Sequence, residues 1–279
     1  MVMYFFHKPS RLLVDIERAR FPARYPSKSS TCDLGYGPTS YLVQRSLRVK
    51  KAEERILALA STGGSRRIKP EVALILRHAT HMDAEELMNL YNSYVRGTVQ
   101  CLDTKPIAVD DMFQRVDESR KEELPFIVAI DVQRQESGRK MLEYIRLTKF
   151  LDGQPSVSGT ARLEIMIWHS NRGQNVGRCL MDAMMTLADP RYSPKGGYYF
   201  MPPPNDMDDI SFSSSISCRP LSYLVMLMNH SDPEASRFRR IRDWLSREHT
   251  FSQKGDLPSV AEKMGQPVNI AILVRRIRL

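Results

Sequence analysis

Leu163-Glu-Ile-Met-Ile-Trp-His-Ser-Asn-Arg-Gly-Gln-Asn-Val-Gly-Arg-Cys-Leu180 is the stretch from which the fold follows. It reads as a strand that runs into a tight polar turn, and the turn opens a helix. Backbone amides at a helix start have no intrahelical acceptor, and the helix dipole puts partial positive charge behind them, so such a turn is a ready anion site. Gly173 and Gly177 let a ligand approach the backbone, Arg172 and Arg178 add charge, and a diphosphate suits the loop. Alone, the pattern is common in α/β proteins.

Working outward, Val72–Leu76 is a short β-type run, and Thr80 followed by Asp83 reads as a capping box that opens a helix. Ala84, Leu87, Met88, Tyr91, Tyr94 and Val95 form one apolar face of that helix, and Val109, Met112, Phe113 and Val116 form the face of a second. Strands are expected over 125–131, 142–148 and 160–168, with a polar hairpin loop at 133–140. Val176, Leu180, Met184 and Leu187 put a third helix over 176–188. A strand over 221–228, a helix over 233–247 and a strand over 268–277 complete the series. Three consecutive strands between helices exclude a doubly wound parallel sheet. The expected class is α+β, a mixed and mostly antiparallel sheet flanked by helices. Residues 189–218, with Pro202–Pro204 and a serine cluster over 211–215, read as an insertion or lid in a domain spanning 71–279.

The chain has 279 residues and a formal net charge of +9. Residues 1–70 hold 14 Lys/Arg against 5 Asp/Glu, and the remainder is balanced, so the basicity belongs to an N-terminal extension. Residues 40–60 of this arm carry helical spacing with a basic face. One reading is contact with nucleic acid or another anionic surface. The plainer one, a docked helix with a solvated face, is favoured, because no nucleic-acid-binding motif follows. The four scattered cysteines form no close pair, which argues against a disulfide framework or a structural zinc site. No apolar run reaches membrane-span length. The apolar start stops at His7-Lys8-Pro9, too short for a signal-peptide core. These features predict a cytoplasmic protein, with the nucleus as the alternative address, no metal and no membrane partner. A second copy of the chain is a candidate partner.

The strand order and the turn Arg172-Gly-Gln-Asn-Val-Gly177 resemble the GNAT acyltransferase superfamily, and more narrowly its phosphinothricin-acetyltransferase-like branch. Leu90-Tyr-Asn-Ser-Tyr-Val-Arg-Gly-Thr-Val99 is similar to the branch's first-helix signature. Glu123-Leu-Pro-Phe-Ile-Val-Ala129 resembles the segment before its central hairpin, Gly177-Arg-Cys-Leu-Met-Asp182 the segment after the turn, and Gly255-Asp-Leu-Pro-Ser-Val-Ala-Glu-Lys-Met-Gly265 with the closing strand its last two strands. The likeness runs in order over residues 72–276. It implies direct transfer of an acetyl group from acetyl-CoA to the primary amine of a small-molecule or amino-acid-like acceptor. Ile165, Met166 and Ile167 would lend backbone hydrogen bonds to the pantetheine arm. Arg172, Gly173, Gln174, Asn175, Val176, Gly177 and Arg178 would hold the diphosphate. Asn92 and Tyr94 would face the acceptor.

Two positions depart from the branch. Asn175 stands where it has glycine, although Asn tolerates a left-handed backbone better than most residues. Arg162 stands where it carries a Glu. Arg162, Glu164 and Met166 share one strand face, so Glu164 is the candidate general base, with a charge pair to Arg162 or another cation as the competing reading. The place of a general acid falls on Ser246, with His249 nearby and read as a surface residue. Cys179 reads as a small core residue. Asn175 and Arg162 also separate two functions: an active N-acetyltransferase, or a degenerate GNAT-fold protein acting as an interaction module.

Overall fold

The computed structural model describes residue 54 and residues 67–131, 141–151, 154–201 and 218–277. The arm up to residue 66 with its 40–60 helix (Glu54 apart), the 133–140 loop, and the proline and serine runs of the 189–218 insertion lie outside the described residues. The elements are β1 (Leu74–His78), α1 (Ala84–Gly97), α2 (Val109–Lys121), β2 (Phe126–Asp131), β3 (Met141–Lys149), β4 (Thr160–Ile167), α3 (Val176–Ala188), β5 (Tyr199–Phe200), β6 (Tyr223–His230), α4 (Ala235–His249), β7 (Ser252–Lys263) and β8 (Gln266–Arg276).

The strands form one sheet in the order β5-β1-β2-β3-β4-β6-β8-β7, antiparallel except for β1 with β5 and β4 with β6. The expected mixed, mostly antiparallel sheet with flanking helices is what the chain adopts. β2 is buried along its whole length. Ile127 and Ala129 pack toward α3, while Phe126, Val128 and Ile130 pack toward α1 and α2. This is why β2 is a continuous apolar run rather than an alternating one: both faces are covered. The α1 start is built as expected. Asp83 accepts from the Thr80 amide (2.7 Å), the Thr80 hydroxyl (2.9 Å) and both Arg77 terminal nitrogens (2.7 and 2.6 Å). A short 3₁₀ turn, His81–Asp83, precedes the helix.

Two strands escape the pattern of the sequence. β5 is only two residues long, and it joins the sheet edge as a parallel partner of β1, so the insertion begins as part of the sheet. β7 is almost wholly exposed and carries bulges near Gln253 and Leu257, so it lacks the apolar alternation that marks a strand.

The first part of the insertion is anchored by Asp182 of α3. This side chain is fully buried, and a bare carboxylate there would be costly. Instead it accepts from the hydroxyls of Tyr192 and Tyr198 (both 2.8 Å) and the amides of Lys195 and Gly196 (both 3.0 Å). A buried ion pair between Arg275 of β8 and Asp189 adds a second tie. Residues 196–197 in turn seat the segment before β1. The Ile68 amide donates to the Gly196 carbonyl (3.2 Å), and a Cβ at Gly197 would lie 2.0 Å from the Ile68 oxygen, which only glycine avoids. Asp182→Ala leaves two hydroxyls and two amides without their acceptor. It is expected to lower the unfolding free energy by about 3 kcal/mol in urea melts, since hydrogen bonds to a buried charge are the strong ones. A loss below about 1 kcal/mol would show that the insertion holds itself in place.

Candidate active site

β4 and β6 pair only over Thr160–Arg162 and Tyr223–Val225. Beyond that they diverge, because β6 stays in register with β8 along all eight of its residues, from Tyr223 opposite Arg276 to His230 opposite Asn269. The result is a wedge in the middle of the sheet, part of a cavity of about 870 Å³. Its β4 wall runs from Leu163 to Ile167 and ends at the turn into α3.

In an antiparallel strand the N–H and C=O of one residue point to the same edge, and successive residues alternate edges. The Tyr94 hydroxyl donates to the Ile167 carbonyl (2.7 Å) and accepts from the Ile167 amide (3.1 Å). Ile167 therefore points away from β3, Ile165 does the same, and Met166 points toward β3. Of the three residues expected to lend backbone bonds, Ile165 offers free groups to the wedge, Ile167 has its own occupied by Tyr94, and Met166 spends its own on the ladder. Tyr94 lines the cavity, but through this contact with β4.

Glu164 also faces the cavity. It lies opposite Arg146 of β3 and takes a 2.9 Å ion pair from it, while the Tyr144 hydroxyl donates to its other oxygen at 2.6 Å. The cation beside it is thus Arg146; Arg162 lies farther along the same face. Burial alone would raise this carboxyl, but Arg146 and Tyr144 outweigh it and hold Glu164 below the usual carboxylate range. The geometry favours a fixed carboxylate over an ordinary titrating base.

The turn carries the expected backbone. Gly173 has φ +89°, and a Cβ there would meet nothing within 4 Å. Asn175 is left-handed, φ 63°, and serves as the α3 N-cap. Its side chain does not cap the helix; its amide donates to the Lys69 carbonyl (3.0 Å). Asn175 thus takes the left-handed backbone that the glycine of the branch would take, and its side chain is held by the segment before β1. The amides of Gly173, Asn175, Val176 and Gly177 find no acceptor among the described residues, whereas Arg178 and Cys179 both donate to the Asn175 carbonyl. Gly177 is packed against β4: a Cβ would fall 2.6 Å from Ile167 Cδ1. Arg172 turns to His169 (2.7 Å). Across the mouth, Arg237 of α4 is held below the ordinary guanidinium value by burial and then by Arg172. Arg237 also lies 4.0 Å from Glu234, so the mouth beside these amides carries cations with partial pairing, the kind of surrounding that suits an anion.

Other residues sit elsewhere than the sequence suggested. Asn92 does not reach the cavity. It is buried, and both ends of its amide are spent on the Ile107 backbone (2.9 Å each), so its role is to hold the chain after α1. His249 is not a surface residue but 3% exposed, flanked by Tyr192 and Trp244; burial, then Lys195 and Arg275, bring its pKa down to about 4. Cys179 is fully buried, and burial pushes its thiol up to about 12, as suits a core residue. Sequence reasoning missed Arg146 and a cluster in which Tyr91 donates to Asp103 and Arg115 lies 4.3 Å over the Tyr91 ring. No spacing marks these; only the β3–β4 register and the fold of the loop after α1 bring them together.

No family model matches this chain. YwnH of Bacillus subtilis (strain 168), a proposed phosphinothricin acetyltransferase, is 25% identical over 204 residues, which span 73% of this chain and 99% of the relative. Among solved structures, YncA of Salmonella typhimurium, a proposed acetyltransferase seen with its cofactor acetyl-CoA, aligns over 74% of this chain and 95% of its own, at 14% identity and a TM-score of 0.53. A GNAT superfamily phosphinothricin acetyltransferase from Sinorhizobium meliloti, in complex with acetyl-CoA, aligns over 74% and 89%, also at 14% and 0.53. These structures share the fold, and the sequence likeness to YwnH narrows it. With its central wedge and its strand-turn-helix unit, the chain is a GNAT-fold protein that resembles the phosphinothricin-acetyltransferase-like branch of that superfamily.

Proposed function

We propose that this chain is an N-acetyltransferase that uses acetyl-CoA and acts on the primary amine of a small, amino-acid-like acceptor. The observation that carries the reading is the continuity of the wedge with the turn: the open edge of β4 leads directly to a helix start whose first amides find no acceptor among the described residues. The residues present fit this donor. The turn amides of Gly173, Asn175, Val176 and Gly177 would hold its diphosphate, with Arg178 and Arg172 adding charge, and the N–H and C=O of Ile165 would pair with its pantetheine arm. Acetyl-CoA supplies an acetyl group activated as a thioester.

The remaining chemistry belongs to the chain. Glu164, fixed by Arg146 and Tyr144, presents negative charge to the cleft and orients the incoming ammonium. Held below the usual carboxylate range, it acts as a fixed charge that positions the amine, whose proton passes to water as the C–N bond forms and the C–S bond breaks; the departing thiolate takes its proton from solvent. Asp103 and Arg115 give the far end of the cleft both signs of charge, which suits an acceptor that is itself zwitterionic.

The reading is tested by a thermal shift, because a ligand that binds only the folded state stabilises it by about 2.7 kcal/mol at 100 times its Kd. Acetyl-CoA is expected to raise the melting temperature, and turnover against a panel of amines then identifies the acceptor. A folded protein whose melting point ignores acetyl-CoA would overturn the proposal.

Gly177→Glu sets a carboxylate against the diphosphate seat and a side chain against Ile167. It should weaken acetyl-CoA binding by about 100-fold or more in calorimetry while circular dichroism stays native. Glu164→Gln should lower kcat/KM for the amine by roughly 100-fold with little change in the KM for acetyl-CoA. Because the folded-state value of Glu164 is depressed, it stays ionised at and above the usual carboxylate range and loses its charge only below it. The ratio of parent to variant activity is therefore expected to be flat from about pH 6 to 9; a ratio that changes there would assign the titration to Glu164 after all.

A further inference from the structure

Glu143 is the odd carboxylate of the molecule. It lies on β3 opposite Ile167, the last residue of β4, and shares a face with Ile145 and Leu147, which pack toward α3. It is fully buried, it lines the same cavity as Asn171 to Arg178, and neither of its oxygens has a hydrogen-bond partner among the described residues. Ile167, its cross-strand neighbour, reaches the start of α3, where a Cβ on Gly177 would lie 2.6 Å from Ile167 Cδ1, so the carboxyl stands beside the amides that lack an acceptor.

The surrounding groups are engaged with one another rather than with Glu143. On α3, Asp182 is saturated by Tyr192, Tyr198 and two amides, and Arg178 points to Glu248 at 4.0 Å. Cys179 carries a raised thiol. In the turn, His169 and Arg172 hold each other. On β2, Asp131 has a partner of its own, and the β4 residues on this face, Leu163, Ile165 and Ile167, are apolar. With no cation or donor among the described residues to offset it, burial pushes the Glu143 carboxyl up to about 9.

A fully buried acid with no partner among the described residues, placed beside an anion seat, has one electrostatic consequence. Neutral, it leaves the positive potential of the helix start intact. Ionised, it sets an unscreened negative charge against a diphosphate. We propose that Glu143 makes binding of the nucleotide thioester proton-linked: the turn takes the diphosphate while the Glu143 carboxyl keeps its proton, and releases it when that carboxyl ionises. This rests on the acetyl-CoA reading of the site. By reciprocity, the bound diphosphate must strengthen the hold on that proton, so binding at a pH where Glu143 is partly ionised draws a proton from solution.

The test is calorimetry with acetyl-CoA on the full chain and on Glu143→Gln, an uncharged variant of the same shape, from about pH 7 to 9.5 in two buffers of different ionisation enthalpy. The parent is expected to lose about threefold to tenfold in affinity between about pH 8 and 9.5, and to take up a fraction of a proton near pH 9. The variant should match the parent at pH 7, lack that part of the slope, and take up no such proton. Lysines titrate in both proteins, so the difference between the two profiles is the readout. Folding gives a second one. A raised carboxyl must be protonated on folding, so stability falls with pH from the unfolded carboxylate value up to about 9. Glu143→Gln is therefore expected to melt above the parent by a margin that widens from about pH 5 to 9. Parallel binding profiles, absent proton uptake or a pH-independent melting difference would each overturn the inference. Failure of the parent to bind acetyl-CoA at pH 7 would instead overturn the function it rests on.

Discussion

A sheet interrupted in its middle must do something with the hydrogen-bonding groups it leaves open, and the architecture of this chain follows from that constraint. An unpaired buried backbone group costs about 1–3 kcal/mol. The wedge between β4 and β6 survives because each strand has a better engagement on its other side. β6 is committed to β8 over its full length, and β4 to β3 over seven residues, Ala161 to Ile167. Near the turn, where β6 is farthest away, the Tyr94 hydroxyl serves both groups of Ile167. What stays open is a short stretch of edge around Ile165 and the first amides of α3, a continuous line of unspent donors and acceptors.

The carboxylates near this line show how placement sets the state of one functional group. Asp182 is fully buried and saturated with donors, and it organises the segment on which Ile68 rests. Glu164 has a cation and a phenol and is held ionised at the cleft. Glu143, one residue from Tyr144 but on the opposite face, finds no hydrogen-bond partner among the described residues, and burial raises its carboxyl. The β3 pleat alone separates the last two environments. The same turn is also tied from outside: the Glu71 amide donates to the Gln174 carbonyl (3.1 Å), and Asn175 donates to Lys69. The segment entering β1 therefore helps to set the backbone that the proposed ligand would meet.

Much of the fold was legible in the sequence because it depends on local signals. α3 runs from Val176 to Ala188 as its periodicity predicts, and the Thr80–Asp83 box and the left-handed Asn175 are where residue chemistry puts them. β7 was legible only through the family likeness of residues 255–265 and not from periodicity, because an exposed edge strand needs no apolar pattern; β5 was illegible because a two-residue strand cannot carry one. Asn92 and His249 were misplaced because a polar side chain is as readily buried by backbone partners or aromatic neighbours as turned to a ligand, and sequence spacing does not separate those outcomes.

From sequence alone came the strand-turn-helix unit, its glycines, the composition of the α1 and α3 faces and the strand face of Glu164, each of which is written in a short run of residues. Tertiary structure decided which cation Glu164 would meet, that Tyr94 would close the backbone of Ile167 and leave Ile165 open, and that Glu143 would meet no partner among the described residues. Each of these depends on the register between strands or on the approach of α1 to β4. Periodicity sets the face on which a side chain lies; the partner across the gap belongs to a distant part of the chain, and only the packed sheet brings the two together.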